Sequence, residues 1–182
     1  EDPRLDAAVG WLRRLDWFTP EPGIWSGDAN ESFLITLARA WPEKPPEADY
    51  LGNAAFQRLF LLPRQLKPML VVKGSGIDWF SVSAEWEQEV MKLTSADLQG
   101  LAVATSRFVK LPDAGWVELD PRAVQAAHEA MADLGVDELS NLPQKIGLEQ
   151  AGHLDEAGLK KFVDGAEAKV LRDKLCNFDG IP

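Results

Sequence analysis

Cysteine occurs once in these 182 residues, at Cys176, and histidine only twice. A lone cysteine closes no internal disulfide and builds neither a Cys-x-x-Cys redox pair nor a zinc knuckle. His128 and His153 are too few for a histidine-rich metal site. Gly-Lys-Ser and Gly-Lys-Thr are missing, and in "KGSGIDW" Trp79 stands where the third glycine of a dinucleotide fingerprint belongs. That stretch therefore reads as a hairpin turn rather than a phosphate loop. No apolar run approaches the roughly 20 residues that span a bilayer. A reducing, cytoplasmic setting without a membrane partner is expected.

Positive charge is scarce too: 19 Lys and Arg stand against 29 Asp and Glu, for a net charge of -10. Nucleic acid is held first by cations that neutralise phosphates, so this balance counts against DNA binding by the chain alone. The imbalance is uneven. Residues 1–50 carry ten acids and five bases, 51–120 eight and seven, and 121–182 eleven and seven. A surface lying along nucleic acid belongs in the near-neutral middle, where Lys73, Lys92 and Lys110 are scattered.

The chain is 46% hydrophobic and 26% charged, the composition of a folded protein with one core and room for a small helical appendage. Leu5, Ala8, Val9, Leu12 and Leu15 recur at helical spacing in residues 3–18. "TPEPGIWSGD" breaks that helix, and Asn30 caps a second one with Phe33, Leu34, Leu37 and Trp41 on one side. A proline-rich connector leads to a third helical stretch over 51–62. From Pro68 the period becomes two, with Phe80, Val82, Ala84 and Trp86 alternating with Ser81, Ser83 and Glu85 behind the Gly-Ser-Gly turn.

Thr94 or Ser95 then caps a helix that turns Leu98, Leu101 and Ala102 inward. "FVKLPDAGWVELD" reads as a second hairpin. Asp120-Pro121 opens a helix with Val124, Ala127, Met131 and Leu134 on one stripe and Gly135 as its stop. A short strand is expected near Ile146 and Leu148, and a last helix with Leu159, Phe162, Val163, Ala166 and Val170 inward. The expected fold class is α+β, with a helical N-terminal segment over 1–62 and a hairpin and helix domain over 63–176. Sheet order is not legible.

Catalytic chemistry is hard to place on this pattern. Glu85, Glu87 and Glu89 read as a solvated strand edge, and Cys176 lacks the electropositive surroundings that activate a thiol. Seven tryptophans are an excess best used in packing and interfaces. Trp79 and Trp116 stand out because each begins a returning hairpin strand.

"SGIDWFSVSAEWE", "SRFVKLPDAGWVELD" and the closing "FDGIP", in that order, resemble the bacterial helicase-associated region found upstream of a SWI/SNF-type (superfamily-two) ATPase motor. The resemblance covers Asn53 to Pro182 and rests on packing patterns, so no catalytic residue is carried over. It implies a non-catalytic accessory domain of a DNA-dependent ATPase, docking on the motor to regulate it or mediating partner contacts. The motor would follow Pro182 in the same chain, with residues 177–182 as the connector. ATP and magnesium are expected only in that motor, and no cofactor in this chain. Partners are then the motor, other proteins, and DNA through the parent protein. Trp79, Phe80, Trp116, Phe178 and Ile181 are the expected motor or partner contacts. A free-standing small enzyme with an unrecognised cleft and an oligomerisation module are the alternatives.

Overall fold

Asp2 and Asn30 begin the first two helices by the same device, each side chain accepting a hydrogen bond from a first-turn amide, that of Arg4 or of Phe33. The computed structural model describes residues 2–74, 78–87, 89, 91–151 and 173. The chain divides into two compact units, Glu1–Arg64 and Gln65–Pro182.

The first unit contains α1 (Pro3–Arg13), β1 (Phe18–Glu21), β2 (Ile24–Ser26), α2 (Glu31–Ala40) and α3 (Ala54–Phe56). β1 and β2 pair antiparallel, so the N-terminal segment is not purely helical: the "TPEPGIWSGD" break is itself mostly a small hairpin. Its strands show no alternating burial, which is why periodicity missed it. The α1 stripe also shifts. Leu5 is 62% exposed while Trp11 and Leu15 are buried. Trp11 offers more apolar area than Leu5, and its Nε1 donates to the Ala40 carbonyl at 3.1 Å, so the ring sets which face turns inward.

The third helical stretch is short. α3 passes into a π-helical turn over Gln57–Leu61, closed by the Leu62 amide on the Gln57 carbonyl at 2.9 Å. Leu59 and Phe60 of that turn are buried.

The second unit begins with β3 (Gln65–Leu66) and β4 (Pro68–Gly74), which lie in different sheets although only Lys67 separates them. β4 pairs antiparallel with β5 (Trp79–Trp86), placing Leu70 opposite Ala84 and Val72 opposite Val82. The far edge of β5 takes β8 (Gln144–Gly147), with Ile146 opposite Phe80, where the short strand was expected. The second sheet has the order β3-β7-β6, built from the expected hairpin β6 (Phe108–Leu111) and β7 (Gly115–Leu119) plus β3 running parallel to β7. Gly115 closes the turn at φ +74°, a left-handed conformation that glycine enters without strain.

Helices α4 (Ser95–Ala102) and α5 (Pro121–Ala132) each follow a hairpin, and the single turn α6 (Leu148–Ala151) follows β8. On α5 the whole expected stripe is buried, and Gly135 stops the chain at φ +74°. The core of this unit joins both sheets to the helices through Leu101, Leu119, Met131, Leu134 and Leu139, all at most 2% exposed. The architecture is α+β. Among the described residues no helix is long and apolar enough to cross a membrane. The expected last helix lies outside the described residues.

Candidate docking surfaces

Strand alternation decides where the expected contact residues fall. Phe80 points with Val82, Ala84 and Trp86 into the core and is only 2% exposed, so its side chain packs this unit's own interior. Its expected role as a partner contact is corrected accordingly: the period of two that places Trp79 on one face of β5 places Phe80 on the other. Trp79 is half-buried, and the Lys145 ammonium sits 4.4 Å from its ring centroid. Lys145 lies on β8 opposite Ser81, and Ser81 faces Lys73 on β4. Trp116, also half-buried, lies directly opposite Lys110.

Each hairpin tryptophan thus has a lysine on a neighbouring strand. Nothing local marks Lys145 as a neighbour of Trp79, because only the β5–β8 pairing brings them together. Phe178 and Ile181 lie outside the described residues, as do Cys176 and His153.

Polar groups elsewhere in the second unit serve the fold. Asp97 is fully buried. Its Oδ1 accepts from the amides of Asp113 at 2.9 Å and Ala114 at 3.2 Å, and its Oδ2 accepts from the Thr94 amide at 3.1 Å. The Thr94 hydroxyl accepts from the Asp97 amide and donates to Asp113 Oδ2 at 2.6 Å. This capping box therefore also ties α4 to the β6–β7 turn. Burial pushes the Asp97 carboxyl up, but the hydrogen bonds from Asp113, Thr94 and Ala114 outweigh it and hold the group below its ordinary range.

Glu118 on β7 is also buried. Its Oε1 accepts from Arg107 Nε at 2.9 Å and from Gln65 Nε2 at 3.1 Å, linking β7 to β3 and to the residue that leads into β6. Asp120 caps α5 through the amides of Arg122 and Ala123, and Lys67 Nζ stands 3.7 Å from its second oxygen. The Ala123 amide is the main reason its carboxyl lies below the usual range. His128 is half-buried, with Nε2 3.3 Å from the Ala104 carbonyl.

In the first unit, Trp41 meets Trp11, Tyr50, Phe56 and Phe60 at centroid distances of 5.1–6.1 Å, with Lys44 Nζ 5.0 Å from its ring. The Tyr50 hydroxyl donates to the Pro45 carbonyl at 2.7 Å, and burial pushes its phenol up. Beside this cluster a cleft of about 250 Å³ opens between α1 and α2, floored by Trp11, Leu15 and Ala40 and rimmed by Arg14, Arg39 and Glu43.

Among the described residues no group of three or more His, Cys, Asp or Glu side chains is placed to hold a metal ion. Comparison with protein-family models, curated proteins and solved structures finds no match.

Proposed function

We propose that this chain is a non-catalytic accessory region of a bacterial, cytoplasmic SWI/SNF-type ATPase, docking on the motor to regulate it or mediating partner contacts. What supports this reading is the use made of the segments that carry the resemblance. The first two supply β5, β6 and β7; the buried Glu118 of the second joins neighbouring strands, and its turn amides at Asp113 and Ala114 are held by the buried Asp97 of α4. The tryptophan that starts each returning strand stays half-exposed, away from the innermost core. Aromatic side chains beside a cation are well suited to an interface, where they bring apolar area at small entropic cost.

The test is binding of this chain to the separately produced motor. Changing Trp79 and Trp116 together to serine should weaken binding about fivefold or more while moving the melting temperature of the chain little, since neither side chain is fully buried. Unchanged affinity with the fold retained sinks the docking role of these residues.

Duplex DNA should be held weakly. Ten surplus negative charges oppose the counterion-release term, so a mobility-shift experiment at about 150 mM salt should show no retarded band. A band that persists there, and disappears when Lys73, Lys92 and Lys110 are changed to glutamate, would mean that local charge overrides the total.

A further inference from the structure

Arg39 is exposed on α2 and, among the described residues, makes no ion pair or side-chain hydrogen bond. Residues 1–50 offer ten acids, so an unpaired guanidinium there is not for want of partners. Arg4 is taken by Asp2 at 2.9 Å, Lys44 stands over the Trp41 ring, and Arg14 reaches Glu43 only at 3.5 Å. Arg14, Arg39 and Glu43 together rim the cleft between α1 and α2.

The floor of that cleft offers no donor to a ligand. The Trp11 indole is used by the Ala40 carbonyl, and the Thr36 hydroxyl donates to the Ser32 carbonyl at 2.9 Å. The donors left are the two guanidiniums, over an apolar surface of Trp11, Leu15 and Ala40. Two arginines and one glutamate leave a single positive charge unmatched, which suits a singly charged carboxylate better than a dianionic phosphate. At about 250 Å³ the space also exceeds the roughly 150 Å³ that holds a benzene ring, so a carboxylate fits together with its stem.

We infer that this cleft is a binding site for a carboxylate on a short apolar stem, namely a glutamate or aspartate side chain of a docked polypeptide. The inference rests on the docking reading only for the source of the carboxylate. The incoming group pairs with Arg39 and shares Arg14 with Glu43.

The experiment titrates the 182-residue chain with acetyl-Leu-Glu-amide, acetyl-Leu-Gln-amide and inorganic phosphate, following the arginine side-chain and Trp11 indole resonances by NMR. The glutamate peptide should shift the Arg39, Arg14 and Trp11 signals to saturation, and the glutamine peptide should bind at least about tenfold more weakly. Arg39→Gln should cost the glutamate peptide about threefold to fivefold, whereas Glu43→Gln should tighten it by a smaller factor by releasing Arg14. The Trp11 indole signal, which reports the bond to Ala40, should keep its position in both unliganded variants and so checks that they fold.

Equal binding of the two peptides, no effect of Arg39→Gln, or weaker binding by Glu43→Gln would each overturn the site. Phosphate binding tighter than the peptide would overturn the carboxylate assignment. If the peptide fails while the chain binds the motor, this site falls and the docking reading stands; if the peptide binds while the chain does not bind the motor, the docking reading falls and the site is kept.

Discussion

Replacing Asp97 by alanine should cost the second unit about 3–5 kcal/mol, because it strands the amides of Thr94, Asp113 and Ala114, each worth roughly 1–3 kcal/mol when left unsatisfied. Asparagine is nearly the same size and keeps one acceptor for Asp113 and Ala114, but it turns an amino group toward the Thr94 amide, donor against donor. Asp97→Asn should still cost about 2–3 kcal/mol in urea unfolding.

The sign of the pH dependence follows from the lowered carboxyl. A group whose folded pKa is depressed gives stability that is fully present above its unfolded value, about 3.9, and lost as the pH falls through the folded value. The stability gap between the parent chain and Asp97→Asn should therefore be flat above about pH 5 and shrink in strong acid. A gap that does not change with pH would show that the ionised carboxylate is not what holds α4 to the hairpin.

Asp97 illustrates what the sequence concealed. The cap at Thr94 was legible, and an acid three residues later belongs to the same local motif. Its second use, on amides sixteen residues further along, depends on a tertiary approach that no local pattern encodes. The same division holds throughout. β5 and α5 were readable because one face of each is buried, so their apolar residues repeat with the period of the element. β3 was not, since its two residues become a strand only by pairing with β7. β1 and β2 expose nearly every side chain and left no period to find. For the site, Trp79 and Trp116 were legible as residues at turns and Lys110 came with the expected second hairpin, while Lys145 was not legible, because only pairing with the distant β8 supplies it. Arg39 carries no signal in the sequence and becomes notable only through the cleft that α1 and α2 form beside it.

Trp41→Ala should strongly destabilise the first unit. Trp41 is half-buried, so its truncation forfeits part of the roughly 3–5 kcal/mol of a fully buried aromatic, about 2–3 kcal/mol, from a unit of 64 residues held by only about 3–10 kcal/mol in all. Trp41 is also the ring that the others share. Its loss removes the edge contact to Trp11, the contacts to Tyr50, Phe56 and Phe60, and the seat of the Lys44 ammonium at once. Phenylalanine keeps an aromatic face toward Tyr50, Phe56 and Phe60, so Trp41→Phe should cost no more than about 2 kcal/mol. Near-ultraviolet circular dichroism and the Trp11 indole resonance check this, since that indole keeps its shift only while its bond to the Ala40 carbonyl survives. In Trp41→Ala the resonance should move to the position of a solvated indole, and in Trp41→Phe it should stay. If Trp41→Ala instead keeps the native indole shift and loses less than about 1 kcal/mol in urea, the aromatic cluster is not what holds this unit, and the weight shifts to Leu34, Leu37 and Leu59.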